Sequence, residues 1–237
     1  MGQDGEMKKT KAGAKPEPRA SRVREVQVPR LRVDASTGVP EVESCATRIP
    51  KGYEDIVSGV VATPAQIRRR IHDLGRALQR DFGKNEWVVV ALLNGSVLFV
   101  ADLIRELEGP LILDFIGVSS YGGGTESGKL VYTKELKFEV TGRRVLVVDD
   151  ILDTGRTLSA VIRKLKDLGA REVRTCVLLD KPARRQVKQV ADYVGFTIPD
   201  WFVVGYGLDY AERYRHLPFI GVLRPEVVAE TARGTAR

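Results

Sequence analysis

The sequence predicts an α/β protein, a parallel twisted sheet flanked by helices. Three observations carry that expectation. Residues 87–93 and 145–148 are short apolar runs, as strands covered on both faces require, and residues 173–179 read as another buried strand. The segments beside them place apolar residues at helical spacing. Strands alternating with helices along a chain build a parallel sheet with helices on both faces.

Taken in order, residues 1–45 read as a disordered basic extension and residues 46–237 as one domain. The first 40 residues hold nine Lys/Arg and five Asp/Glu, so +4 of the formal net charge of +7 sits there. They are rich in Lys, Arg, Pro and Gly and bury too little apolar surface to offset ordering. Val23, Val26, Val28, Leu31 and Val33 could supply one short strand. No apolar stretch follows the first lysines, and Asp4, Glu6, Glu17 and Glu25 are acidic, which argues against a secretory or transit peptide. The remaining +3 is ordinary for a phosphate-binding domain, so charge alone makes no case for nucleic acid. No apolar run approaches the roughly 20 residues of a membrane span. Cys45 and Cys176 fit no metal or disulfide spacing, which points to a reduced, cytoplasmic setting.

From about Tyr53 the periodic pattern begins. Thr63 followed by Pro64 is a helix start, and Ile67, Ile71, Leu74 and Leu78 form its apolar stripe. Residues 87–93 are a buried strand, 98–107 a helix and 111–118 another strand. Residues 119–134, rich in glycine and polar residues, read as a mobile loop. Residues 145–150 form the next strand. Leu158, Val161, Ile162, Leu165 and Leu168 mark a helix stopped by Gly169, and residues 173–179 form a further strand.

The strand at 145–150 ends in Asp149 and Asp150, with Asp153 three positions on and Thr154-Gly155-Arg156-Thr157 opening the helix. Ligands of parallel sheets lie beyond the carboxyl ends of the strands. Amides in the first turn of a helix lack intrahelical partners and carry the positive end of its dipole, so a phosphate is their natural occupant. Asp149 and Asp150 would repel that phosphate unless a cation or sugar hydroxyls lay between. A receiver domain also uses an acidic pair at a strand end, but gives no reason for the following Asp-Thr-Gly-x-Thr. Aspartyl phosphatases want carboxylates two apart, whereas Asp150 and Asp153 are three apart. A ribose phosphate with a metal satisfies the whole pattern.

The run from Asp149 to Thr157 resembles the phosphoribosyl-pyrophosphate signature of the type I phosphoribosyltransferases, and more narrowly the chain is similar to their hypoxanthine-guanine branch over residues 53–225. The resemblance implies the type I phosphoribosyltransferase fold, with a small hood formed by the terminal segments. It implies that Asp149 and Asp150 meet the ribose hydroxyls, directly or through Mg²⁺, and that residues 154–157 hold the 5′-phosphate. Asp153 would accept the purine N7 proton. Asn94-Gly95-Ser96 matches a pyrophosphate loop where the family often has a cis peptide before a basic residue; Asn94 departs from the basic form. Ser120 and Tyr121 would close a catalytic lid. Lys181 would donate to the oxygen at C6 of the base, Phe202 would stack on the purine and Val203 would read it through its backbone. Asp209 would bind a second Mg²⁺ and Arg215 the pyrophosphate. Substrates would be phosphoribosyl pyrophosphate and a 6-oxopurine, and the assembly a homodimer or homotetramer. Trp201 is given no role, and His72 and His216 read as structural or solvated. A rival from another class is an RNA-binding regulator on the same fold, using the basic arm. Lys181 and residues 202–209 discriminate, since a regulator has no need of a purine pocket.

Overall fold

The computed structural model describes residues 30–46, 48–83, 86–120 and 130–234. Its main body is an eight-stranded sheet ordered β1-β2-β9-β8-β7-β4-β5-β6. These strands are β1 (Arg30–Val33), β2 (Pro40–Ser44), β4 (Trp87–Leu93), β5 (Leu111–Ser120), β6 (Leu130–Lys134), β7 (Arg144–Leu152), β8 (Glu172–Asp180) and β9 (Tyr193–Thr197). Every pairing from β2 through β5 is parallel, and only the two edge strands, β1 and β6, run antiparallel to their neighbours. A second, antiparallel sheet joins β3 (Val57–Ala62), β10 (Val203–Val204) and β11 (Ile220–Leu223). It draws strands from early and late in the chain, which is the expected hood.

Side-chain alternation explains the layers. Successive residues of a strand face opposite sides. Val89 and Ala91 of β4 share a core with Leu146 and Val148 of β7 and with helices α1 (Pro64–Phe82) and α2 (Val97–Leu103). Val88, Val90, Val145 and Val147 face the other way, onto Leu158, Val161 and Leu165 of α3 (Arg156–Asp167). The central strands are therefore apolar on both faces, which is why they read as continuous runs. A third core, built on Val57, Val60, Leu217 and Phe219, lies under the hood, with Val227 and Val228 of α4 (Pro225–Gly234) against it.

The start of α1 is as its sequence suggests: the Thr63 hydroxyl accepts from the Gln66 amide, the Gln66 side chain accepts from the Thr63 amide, and Pro64 is the first helical residue. Four expectations are corrected. Residues 30–44 are not part of a disordered arm: β1 and β2 form a hairpin, and β2 extends the sheet beside β9. Leu31, Val42 and Cys45 supply the apolar contacts that offset its ordering. Val23, Val26 and Val28 lie outside the described residues. The segment 119–134 is not all loop, since its two ends continue β5 and form β6. The helix expected over 98–107 is α2 tightening into a short 3₁₀ turn at Ile104–Glu106. Finally, α3 begins at Arg156, not Thr154.

Candidate active site

The carboxyl ends of β4, β5 and β7 frame a cleft of about 250 Å³ whose lining includes Asp149, Asp150, Asp153, Thr154, Gly155 and Thr157. A second cleft of about 370 Å³ adjoins it, lined among others by Lys181, Trp201, Phe202, Val203 and Asp209. Asp150, Ile151 and Asp153 border both. The two hollows therefore meet at the end of β7.

Gly155 caps α3 with φ +82°, a backbone region that L side chains rarely adopt. A Cβ there would also press within 3.0 Å of Val187 Cγ2. The Thr154 hydroxyl accepts from the Arg156 amide at 3.4 Å. The amides of Thr157 and Leu158 lie in the first turn, before any intrahelical partner. The Arg156 side chain is exposed and lies outside the cleft lining, so it is the one member of the predicted phosphate group not brought to the site.

Asp149 is buried, and its neighbour Asp150 is half-buried at the cleft floor. Burial, and then the neighbouring charge of Asp150, push Asp149 well above the usual carboxylate range. Burial also raises Asp150, although Arg215 opposes the rise. The Asp149 carboxylate accepts from the Asp150 amide and that of Asp150 from the Ile151 amide. Such a pair suits a cation. Among the described residues no three His, Cys, Asp or Glu side chains gather into a metal cage. The Asp149–Asp150 pair itself is a donor set that Mg²⁺ accepts, since that ion keeps water and ligand oxygens at its other positions.

The expected pyrophosphate loop lies directly against this pair. The Leu93–Asn94 peptide is cis. Gly95 is packed so closely that a Cβ would fall 1.6 Å from Asp150 Oδ2, and a Cβ on Gly207 would fall 2.1 Å from the Gly95 carbonyl. Glycine at 207 lets the two backbones meet, and glycine at 95 leaves room for the Asp150 carboxylate. Asn94 is exposed, while Ser96 is fully buried and donates its hydroxyl to the Leu92 carbonyl. That hydroxyl is therefore committed to the fold.

Asp209 and Arg215 sit on one folded loop. They pair at 2.9 Å, and Arg215 also donates to the Gly207 carbonyl at 2.8 Å. The Tyr206 hydroxyl, bonded to Asp102 of α2, ties this loop to the helix that follows the Gly95 loop. Lys181 is 7% exposed and pairs with Asp200 at 3.0 Å. Phe202 is 51% exposed at the cleft mouth, edge-on to Tyr210 with ring centroids 5.4 Å apart. Val203 is buried beside it. The backbone of Ser120 closes β5 against Leu130, and Tyr121 lies outside the described residues.

Two residues escaped the reading of the sequence. Arg184 reaches Asp153 with Nε at 3.3 Å from Oδ1, and its Nη1 lies 3.8 Å from Asp200. Arg185 turns the opposite way, onto the carboxylate of Asp180 and the carbonyls of Leu152, at 2.9 Å, and Asp153. The signal was the tandem arginine pair just after Lys181, which by itself is indistinguishable from solvated charge.

A model of the phosphoribosyl transferase domain matches residues 62–211. The chain is 46% identical over 175 residues to the bifunctional protein TilS/HprT of Listeria monocytogenes, a match covering 73% of this chain but only 27% of that protein. It is 42% identical over 172 residues to the hypoxanthine-guanine phosphoribosyltransferase of Bacillus subtilis, covering 72% of this chain and 96% of that one. A crystal structure of a hypoxanthine phosphoribosyltransferase from Staphylococcus aureus superposes with a TM-score of 0.70 at 44% identity, over 74% of this chain and 95% of that one.

Proposed function

The chain belongs to the phosphoribosyltransferase family, and from that premise we propose that it transfers 5-phosphoribosyl from its pyrophosphate to N9 of hypoxanthine or guanine, a purine salvage reaction releasing IMP or GMP and pyrophosphate. One observation carries the reading. The phosphate cleft and the aromatic cleft meet at Asp150 and Asp153, so a sugar in the first presents its anomeric carbon to a base in the second.

The amides at the start of α3, with the Thr154 and Thr157 hydroxyls, take the 5′-phosphate. Asp149 and Asp150 hold the ribose hydroxyls. Lys181 donates to the C6 oxygen, which hypoxanthine and guanine share. An adenine would offer its amino group to a buried ammonium, two donors facing one another. Phe202 covers the ring and the Val203 backbone reads its edge. N9 then attacks C1′ as the bond to pyrophosphate breaks, and the N7 proton passes to Asp153. Arg215 and the Gly95 amide receive the departing pyrophosphate. When bound, Mg²⁺ would neutralise that leaving group; Asp149 and Asp150 would hold it, with Asp209 available to a second ion. Ser120 and Tyr121 would close the site against water, which otherwise traps an oxocarbenium-like centre.

No helix among the described residues is long and apolar enough to cross a membrane. We place the reaction in the cytoplasm and in a homodimer or homotetramer, as the resemblance implies. The RNA-binding alternative leans on the basic arm, of which residues 1–29 lie outside the described residues, and it leaves the clustering of Lys181, Phe202 and Asp209 in one cleft without a purpose. The test is pyrophosphate release with the donor, Mg²⁺ and each nucleobase in turn. Release with hypoxanthine or guanine and none with adenine or uracil is expected; release with no base at all sinks the proposal.

A further inference from the structure

The base cleft contains a chain of four alternating charges that the proposed reaction uses only at its ends. Lys181 Nζ lies 3.0 Å from Asp200 Oδ1, Asp200 Oδ2 lies 3.8 Å from Arg184 Nη1, and Arg184 Nε lies 3.3 Å from Asp153 Oδ1. All four line the same hollow. The local backbone explains the alignment. Lys181 precedes a 3₁₀ turn, Pro182–Arg184, with the Arg184 amide donating to the Lys181 carbonyl at 3.2 Å. The bond folds Arg184 back over Lys181, and both side chains reach Asp200. Lys181 and Arg184 are thereby sent the same way, with Asp200 between them.

We propose that Arg184, through Asp200, is a positioning residue that sets the general base and the C6-oxygen donor in register with one purine edge. This rests on the base-transfer reading above. The C6 oxygen and N7 are neighbours on that edge, so Lys181 and Asp153 must be spaced to meet both at once. Arg184 reaches Asp153 directly and Lys181 through Asp200, and so fixes that spacing. The guanidinium is always charged and its donors form a rigid fork, so it can hold two carboxylates together. Arg184 and Asp153 are 49% and 34% exposed and sit at the long end of hydrogen-bond distance, so the tie is loose enough to be exchanged for a purine N7–H. Arg185 holds the backbone of the same aspartate from behind, which leaves the carboxylate as the part that moves.

The test is a double-mutant cycle on the full chain, reading kcat/KM for hypoxanthine and KM for phosphoribosyl pyrophosphate. Arg184→Gln and Asp200→Asn should each lower kcat/KM for hypoxanthine about fivefold, as loss of one partly exposed charge-assisted contact implies. The donor KM should stay within about twofold in each. Because the two residues act on one chain, the double variant should lose far less than the product of the single losses. Arg184→Lys, which keeps the charge but not the fork, should recover part of the loss. Single losses that multiply, or an Arg184→Gln variant as active as the wild type, overturn the assignment while leaving the reaction standing. A wild type that consumes no 6-oxopurine overturns both.

Discussion

In the proposed reaction Asp153 carries the proton chemistry, and its surroundings say what its loss should do. It borders both clefts, while the groups assigned to the 5′-phosphate and the ribose lie on other residues. Asp153→Asn keeps the size and removes the acceptor charge. Turnover of hypoxanthine should fall by about two orders of magnitude or more, within the range of a lost general base. Donor affinity, measured calorimetrically in the presence of Mg²⁺, should be preserved; a parallel collapse of donor binding would assign Asp153 to the sugar instead. Gly95 makes the opposite kind of claim, about space. Its Cβ position is 1.6 Å from Asp150 Oδ2, so Gly95→Ala must displace either the loop or the carboxylate. Overpacking of this sort costs about 1–3 kcal/mol, and here the displaced atom belongs to the site. Gly95→Ala should therefore lose activity out of proportion to its loss of thermal stability. Unchanged activity would mean that the Asp150 position is not critical.

At the level of elements, the central strands and their helices were legible because the pattern and the environment coincide. Residues 87–93 had no polar face and so needed cover on both sides; Thr63-Pro64 had the chemistry of a helix start. Leu31 and Val33 of the expected short strand do lie in β1, but the β1–β2 hairpin was missed because its signal is local and polar. Its turn is built by Asp34, whose Oδ1 accepts from the Ser36 and Thr37 amides and hydroxyls. A lone acidic residue in a basic, proline-rich stretch gives no periodicity to detect. Those four donors, the Ser36 hydroxyl foremost, hold the Asp34 carboxyl down at about 2. A depressed carboxylate stabilises the native turn fully above its unfolded value of about 3.9 and loses that contribution as pH falls through the folded value. The amide resonances of Ser36 and Thr37 should therefore titrate with a midpoint near 2 and not near 4. A midpoint near 4 would mean the turn does not form in solution. The site divided in the same way. Asp149 to Thr157 is contiguous in sequence and could be read as a unit. Arg184 and Asp200 acquire meaning only when β8 and the segment before β10 bring them beside Asp153, which no spacing along the chain reveals.

For the whole molecule, the decisive feature is that the proposed donor site draws residues from both sheets. The ends of β4 and β7 and the start of α3 come from the main sheet, whereas Gly207, Asp209 and Arg215 come from the loop between β10 and β11 of the hood. A ligand touching both should stabilise the native state by binding it and not the unfolded chain. At a hundred times its dissociation constant, that stabilisation is about 2.7 kcal/mol. For a chain of this length each kcal/mol raises Tm by roughly 2–4 °C, so the donor with Mg²⁺ should raise Tm by about 5–10 °C. Asp149 and Asp150 make the metal a condition of that shift. They stand side by side with raised proton affinities, Asp149 buried and Asp150 half-buried, and a pyrophosphate brought up without a cation meets their charge or must be met by their protonation. Phosphoribosyl pyrophosphate in the presence of a chelator should thus leave Tm nearly unchanged, and Mg²⁺ alone should shift it little, because two carboxylates are a sparse shell for the ion. The measurement is a thermal melt under four conditions: no addition, metal, donor with chelator, and both. A shift from the donor that survives the chelator would remove the metal from the acidic end of β7 and return Asp149 and Asp150 to the ribose hydroxyls alone.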